Sequence, residues 1–459
     1  MDVVILSRIQ FALNIAFHYI YPPLSIGLGL MIVIMEGMYL KTKSQAYRLM
    51  TQFWVKIFAL TFALGVATGI VQVFGFGNNW ARYSRFVGDV FGSALAAEGI
   101  FAFFLEAGFI GVMLFGWERV SAKIHYLSTI CVALGAHFSA IWIIVANSWM
   151  QTPAGFKIVG EGAQAKAVMT DFWQMVFNPS FLDRLTHTII GAWLTGSFMV
   201  ISVSAYYFLK KRHTAFAQTC MKLGLFASLA FVLLQLISAD STARGVAKNQ
   251  PEKLAAIEGI YDTTSHSPMT IAGYVDSKNK TVHGIQVPGL LSFLTYRNTE
   301  TPVTGLDQFP EEDWPNVPAV FQLYHLMIYA WGGMALATAF GLILLKRKTF
   351  HKSKWINRYL IFSIAFPYIG NQAGWFTAEM GRQPWIVYHL LRTPQGISKS
   401  IVASQVFGSI TMFVCIYILL FTLFCFLLNR KIQHGPIEDK KEDALYRNPY
   451  ARKKVDGRV

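Results

Sequence analysis

The 459-residue chain is 54% hydrophobic and 15% aromatic, with only 14% charged residues, a net charge of +15 and a mean hydropathy of +0.41. That composition excludes an ordinary soluble domain. The positive charge does not argue for a nucleic-acid partner, because the basic residues sit in short clusters flanking apolar runs.

A bilayer core takes roughly 20 apolar residues as a helix. Runs of that kind predict nine spans, approximately 11–39, 55–75, 92–116, 125–147, 183–209, 218–238, 318–345, 359–378 and 398–428. The expected fold is an all-α membrane protein of nine transmembrane helices. The first span reads as a retained helix: Arg8 is the one basic side chain ahead of it, the apolar run is longer than a signal peptide's, and no small-residue cleavage site follows. Cys131, Cys220, Cys415 and Cys425 all fall inside spans and form no Cys-x-x-Cys pair, so they carry neither a disulfide nor a zinc signal.

With nine alternating helices, Lys41, Lys43 and Arg48, then Arg119 and Lys123, then Lys210 to Arg212, the cluster from Lys346 to Arg358 and the tail after Asn429 fall on one side. The positive-inside bias makes that side cytoplasmic, with the N-terminus outside and the C-terminus inside. Two outside segments exceed simple turns, 148–182 and 239–317. The second divides the chain: 1–238 holds helices one to six, 239–317 a periplasmic loop, 318–428 helices seven to nine, and 429–459 a basic cytoplasmic tail suited to a lipid surface. Asn249-Gln-Pro-Glu-Lys-Leu-Ala-Ala-Ile-Glu258 reads as a short amphipathic helix within the loop. Long ordered loops beside a membrane domain are often functional.

An ionisable side chain inside a span costs at least ~2.5 kcal/mol, so each one calls for a partner or a task. His18 lies in span one, His187 in span five, His325 with Met327 in span seven, and Glu379 at the far end of span eight. Alternation of the helices brings His18, His187, Met327 and Glu379 to one level near the outer face. His and Met ligate haem iron, the His/Met pair in the six-coordinate electron-transfer arrangement, and an anionic oxygen can hold a high-spin iron. The competing reading for each taken singly is a side chain satisfied by packing. Span three carries Glu98 and Glu106, about 12 Å apart along an ideal helix and rotated by roughly 80°. Both can face one seam as a proton relay, with Ser139 and His137 of span four extending it. Trp375, Glu379 and Arg382 sit at i, i+4 and i+7 and share a face if the helix persists that far. An aromatic, a carboxylate and a guanidinium there suit a haem edge, an iron or a propionate.

Together, Arg8-Ile-Gln-Phe-Ala-Leu with His18, the Glu98/Glu106 span, Ser139-Ala-Ile-Trp-Ile-Ile-Val-Ala-Asn-Ser-Trp-Met-Gln-Thr-Pro153, His187-Thr, Gln250-Pro-Glu-Lys-Leu-Ala-Ala-Ile-Glu258 and Gly381-Arg-Gln-Pro-Trp385 resemble subunit I of cytochrome bd-type quinol oxidases along nearly the whole chain. The resemblance implies an enzyme of the bacterial cytoplasmic membrane. Such an enzyme oxidises quinol at the outer face, reduces dioxygen to water with cytoplasmic protons, and builds a proton motive force without pumping. It implies a low-spin haem b held by His187 and Met327, and two high-spin haems served by His18 and Glu379: a haem b, and a haem d or a further haem b in its place. Which of the two residues serves which haem stays open at this point. Trp375 would lie between haems and Arg382 beside propionates, while Glu106, Glu98 and Ser139 would deliver protons. The loop would bind quinol, with Lys253 hydrogen-bonding a quinol oxygen and Glu258 accepting its proton. A homologous subunit II is the implied partner, with room for a very small single-span subunit and lipid around the helices.

Two features depart from the best-known members, a short loop and His325 where those members carry Arg two residues before the methionine. Both resemble the short-loop, cyanide-insensitive branch, in some of whose members a second haem b stands in the place of haem d. An offset of about 200° from Met327 points His325 away from the same iron. Other classes fit less well. A haem-copper oxidase needs more membrane histidines, and a di-haem cytochrome b needs them paired on facing helices. In a haem-free proton-coupled transporter, Glu98, Glu106 and Glu379 would form a relay and His18 and His187 would be packing; such a protein would be colourless.

Overall fold

The computed structural model describes residues 2–436, so residues 437–459 of the expected basic tail lie outside the described residues. From the N-terminus the helices are α1 (Val3–His18), α2 (Tyr21–Thr42), α3 (Gln45–Asn78) and α4 (Ala81–Ala97), which passes through a π-helical segment (Glu98–Phe103) into α5 (Phe104–Phe115), and then α6 (Ala122–Gln151). A hairpin of β1 (Phe156–Val159) and β2 (Lys166–Met169) and a short α7 (Phe172–Val176) lead into α8 (Phe181–Lys210) and α9 (Thr214–Asn249). Next come α10 (Pro251–Glu258), a hairpin of β3 (Met269–Asp276) and β4 (Thr281–Val287), α11 (Leu290–Tyr296) and α12 (Val317–Arg347). The chain ends with α13 (Lys354–Phe362), α14 (Ala365–Met380), a small hairpin of β5 (Trp385–Val387) and β6 (Leu391–Arg392), and α15 (Ala403–His434).

The architecture is that of an all-α membrane protein. Among the described residues, eight helical stretches are long and apolar enough to cross a membrane, α1 and α2 counting together as one. The expected eighth span, 359–378, is instead divided between α13 and α14, of 9 and 16 residues. Proline explains both interruptions. Pro22 and Pro23 open α2 and, lacking N–H groups, cannot serve the carbonyls of His18 and Tyr19, so the expected span 11–39 breaks at Tyr19 and Ile20. Pro367 likewise cannot serve the Ser363 carbonyl, which takes the Phe366 N–H at 3.2 Å instead. Other limits move by extension. α9 runs on to Asn249, so the loop expected at 239–317 begins at 250, and α6 runs to Gln151, into the segment expected to be loop from 148.

Close backbone approach holds the bundle together. Gly27 of α2 and Gly196 of α8 are in contact: a Cβ added at Gly27 would lie 2.1 Å from the Ala192 carbonyl oxygen. Around this seam Leu28, Met31, Trp54, Phe58, Leu194, Phe198 and Tyr207 form the main core. Outward, Phe101, Phe104, Leu419 and Phe426 are exposed, a surface suited to hydrocarbon rather than water. One end of the bundle is basic. There α2, α8 and α12 stop on Lys43, Lys211 and Lys348, each at a left-handed φ of 53–56°, where the cation faces the negative end of its helix. The opposite end carries 152–180, 250–316 and 381–402.

Candidate functional site

A cavity of about 2000 Å³ opens among the helices, larger than the roughly 300–1,000 Å³ of an ordinary small-molecule pocket. His18, Glu98, Glu106, Ser139, His187, Lys253, Glu258, Met327, Trp375, Glu379 and Arg382 all line it. These eleven sequence candidates thus reach one space, whereas His137 and His325 do not line it.

His18 is the last residue of α1, placed there by the proline break. Its Nδ1 lies 2.9 Å from Thr68 Oγ1, and the Thr68 hydroxyl donates to the Leu64 carbonyl at 2.8 Å. With its proton committed, Thr68 can only accept, so His18 Nδ1 carries the hydrogen and Nε2 keeps its lone pair. That is the tautomer a metal-ligating histidine needs. Gly69 clears space beside the ring; a Cβ there would lie 3.3 Å from His18 Cε1.

His187 sits two turns into α8, with the carboxamide nitrogen of Gln235 from α9 3.0 Å from its Nδ1. Met327 of α12 faces α14 at Gly374, where a Cβ would come within 2.8 Å of the sulfur. α14 is wedged between the two helices: Asn371 donates to Thr195 Oγ1 at 3.0 Å and to the Gly191 carbonyl at 3.3 Å, both on α8.

Glu379 lies at the C-terminal end of α14. It receives Asn147 Nδ2 at 2.8 Å, Arg382 Nη2 at 2.5 Å and Gln151 Nε2 at 3.5 Å. A carboxylate has about four lone-pair sites, so these three donors still leave one for a metal. The shared helical face expected for Trp375, Glu379 and Arg382 does not form, because α14 stops at Met380. Arg382 instead folds back on Glu379 and donates from Nε to the Trp385 carbonyl at 3.2 Å. Its Nη1 and the Nε of Arg184 are buried without a hydrogen-bond partner among the described residues. Two buried guanidinium groups with unused N–H fit a cofactor that carries carboxylates.

The expected short helix is α10, but it is not amphipathic in the sense of one wet face: Glu252 through Glu258 are all buried. Lys253 donates to the side-chain oxygens of Gln151 and Gln250, and Gln250 donates to Gln151 at 3.0 Å. Gln151 therefore touches both Lys253 and Glu379. Burial, with Arg184 and Arg382 nearby, holds the Lys253 ammonium well below its ordinary range. Burial also raises the Glu258 carboxyl to about 7, against a hydrogen bond from Tyr324 that lowers it.

Glu98 opens the π-helical segment and accepts from Ser139 Oγ at 2.5 Å. Glu106, 7% exposed, packs where Gly135 lets α5 approach α6; a Cβ at Gly135 would sit 3.0 Å from Glu106 Cβ. Both carboxylates face α6, although the wider π turn replaces the ideal-helix geometry between them. His137 does not extend this row. Its Nδ1 bonds the Ala133 carbonyl at 2.7 Å, and its Nε2 accepts from Trp193 Nε1 at 2.9 Å. His325 is no ligand candidate either, since both ring nitrogens meet carbonyl oxygens at 2.8 Å, those of Phe321 and of Thr270 in β3. With Gln322 donating to Gly273 O at 2.9 Å and Tyr329 to Ile271 O at 3.0 Å, it clamps the β3–β4 hairpin to α12.

Thr68, Gln235, Gly374, Asn147, Gln151 and Arg184 join the site without having stood out in the sequence. Asn147 and Gln151 stand four residues apart in the motif quoted above, and Arg184 is a charge beside a predicted span, so those three were findable. Thr68 and Gln235 are polar residues of a common kind whose role appears only once two helices meet.

The sequence matches the cytochrome bd terminal oxidase subunit I family over residues 6–436. It is 40% identical to cytochrome bd ubiquinol oxidase subunit 1 of Bacillus subtilis (strain 168) over 454 residues, 96% of each chain. It is 32% identical to cytochrome bd-II ubiquinol oxidase subunit 1 of Escherichia coli (strain K12) over 504 residues, 95% of this chain and 97% of that one. Its fold is similar to that of a bd oxidase chain from Geobacillus thermodenitrificans, with a TM-score of 0.87 at 28% identity, covering 95% of this chain and 99% of the other.

Proposed function

The chain belongs to the cytochrome bd terminal oxidase subunit I family, membrane subunits of bacterial quinol oxidases, and from that premise we propose that it oxidises quinol at the loop end of the bundle and reduces dioxygen to water within the cavity. The observation that carries this reading is the convergence of His18, His187, Met327, Glu379, Lys253 and Glu258 on one space, with His18 Nε2 left free by Thr68.

The donor set fits haem. His187 and Met327 would hold a low-spin haem b, while His18 and Glu379 would serve two high-spin haems, one haem b and the other haem d or a further haem b. Bound there, haem supplies one-electron redox chemistry and, at high-spin iron, an open position for dioxygen. The remaining work falls to side chains. Arg382 and Arg184 present buried N–H groups to propionates, and Trp375 fills the space between cofactors. Lys253, held by two amide oxygens and weakened as an ammonium by burial, hydrogen-bonds a quinol oxygen, and Glu258 takes the quinol proton. Glu106, Glu98 and Ser139 carry protons from the basic, cytoplasmic end. The loop end faces outward, so protons are released on one side of the membrane and consumed from the other. A subunit II completes the oxidase, with lipid and a very small subunit against the exposed apolar faces.

The test is a reduced-minus-oxidised visible spectrum of the purified complex with pyridine haemochrome analysis, repeated on H187A, M327L and H18A. The reading expects haem b in the parent, loss of the low-spin signal in the first two variants and of a high-spin signal in the third. A red-shifted chlorin band identifies haem d; haem b alone identifies the haem-d-free form. A folded but colourless preparation overturns the reading in favour of a proton-coupled transporter.

A further inference from the structure

Oxidising a quinol to a quinone releases two protons with two electrons, and the site as described offers a single carboxylate base, Glu258. We propose that Glu252 and His389 form a second proton exit, taking the other quinol proton from the Lys253 side of the site to the outer surface. The inference rests on the quinol reading and deepens it.

The helix α10 makes this feasible. Because it is buried all round, it can hold acids on different flanks: Glu252 and Glu258 are six residues apart, about 120° around the helix, and Lys253 adjoins Glu252. Glu258 faces Tyr324. Glu252, 5% exposed, turns elsewhere, and its Oε2 has no hydrogen-bond partner among the described residues. A buried carboxylate oxygen left unpaired is costly.

The other oxygen of Glu252 lies 3.6 Å from His389 Nε2, and the Tyr388 hydroxyl hydrogen-bonds the same carboxylate. One water or a small ring rotation closes the 3.6 Å gap. The His389 side chain is 60% exposed. It stacks on Tyr388 with ring centroids 4.0 Å apart and is held at a left-handed φ of 55° between β5 and β6, a conformation uncommon for a residue with a Cβ. The imidazole thereby has one nitrogen toward a buried acid and a ring edge in solvent.

A surface cleft of about 300 Å³ adjoins it, walled by Thr152, Pro153, Asn249, Tyr388 and His389 among others. Thr152 follows Gln151 and Asn249 precedes Gln250, the two amides that hold Lys253. Glu252 is the chain neighbour of Lys253 and near enough for its charge to act on that ammonium, and beyond Glu252 stands His389 at the surface.

The protons balance. One quinol O–H gives its proton to Glu258. The second proton leaves on the Lys253 side to Glu252 and then to His389 Nε2, while His389 Nδ1 releases a proton to water. The two electrons go to the oxidase's own acceptors and finally to dioxygen.

The experiment measures quinol-driven oxygen uptake by the intact complex in nanodiscs for E252Q, H389A and E258Q, each with its haem content verified by spectrum. A positioned base contributes roughly 10²–10⁴-fold, so E252Q is expected to lower kcat at least about tenfold with KM unchanged. H389A opens the cleft, so its smaller loss of kcat should be restored by added imidazole, a rescue that a merely structural histidine would not show. Wild-type kcat in E252Q or H389A, or a loss in H389A that imidazole does not repair, overturns the second exit. Those results alongside an inactive E258Q leave the quinol site standing; an E258Q that turns over normally overturns the quinol site itself. If E252Q does not assemble, the H389A rescue decides.

Discussion

At the loop end, Glu379 collects N–H groups from Asn147, Arg382 and Gln151, and Lys253 stands one amide away. Deeper in the bundle, Glu98 takes one hydroxyl, from Ser139, and Glu106 lies against the α6 backbone at Gly135. Both regions face the same cavity, and both place acids where hydrocarbon surrounds the helices. The first spends many hydrogen bonds on fixing charged groups in place, which suits binding and positioning. The second leaves its carboxylates few partners, which suits groups that must change protonation state. Hydrogen-bond density, more than the number of charges, separates a holding site from a relay.

Four experiments bear on that contrast. The largest effect is expected from E106Q, which removes a titrating group with little bonding to break. Oxygen uptake should fall at least about 100-fold, while thermal stability stays within about 0.5 kcal/mol of the parent. Normal uptake would remove Glu106 from the relay. Q151L attacks the opposite region. It strips an acceptor from a buried ammonium and should cost about 2–3 kcal/mol of stability, read as a lower melting temperature together with a raised quinol KM. An unchanged melting temperature would mean the loop-end network is not holding anything.

The third concerns pH. Glu258 must be ionised to act as a base, and burial raises its carboxyl to about 7. The quinol kcat/KM should therefore rise with pH, about tenfold per unit, until pH 7 and level off above it. A flat profile in the parent would separate Glu258 from proton transfer. The smallest effect is expected from H325L, which removes one hydrogen bond from α12 to the loop, at the Thr270 carbonyl, and one within α12, at the Phe321 carbonyl, worth about 1 kcal/mol each. Limited proteolysis at the β3–β4 hairpin should accelerate while the haem spectrum is unchanged. Loss of a haem band would instead return His325 to the ligand set.

Much of this was legible from the chain. Apolar run length marks helices whatever they pack against, and the cost of an ionisable group in a membrane singles out His18, Glu98, Glu106, His187 and Glu379. Prolines 22, 23 and 367 were visible too, yet a hydropathy window averages over them, so the breaks beside His18 and Ser363 escaped it. Arg382 was misplaced because its position depends on where α14 ends, and that end is set by the fold-back onto Glu379 and Trp385.

Local hydrophobicity, charge and residue type, all readable along the chain, are enough to specify a helical membrane protein, its basic and loop-bearing ends, and the side chains proposed to carry its chemistry. Helix packing alone makes those side chains meet in one cavity, sets Thr68 against the His18 ring, lets Gln151 join Lys253 to Glu379, and has His325 clamp a loop. Each of those is a contact between residues far apart in the chain, and what such a residue bonds to is fixed by how the helices pack.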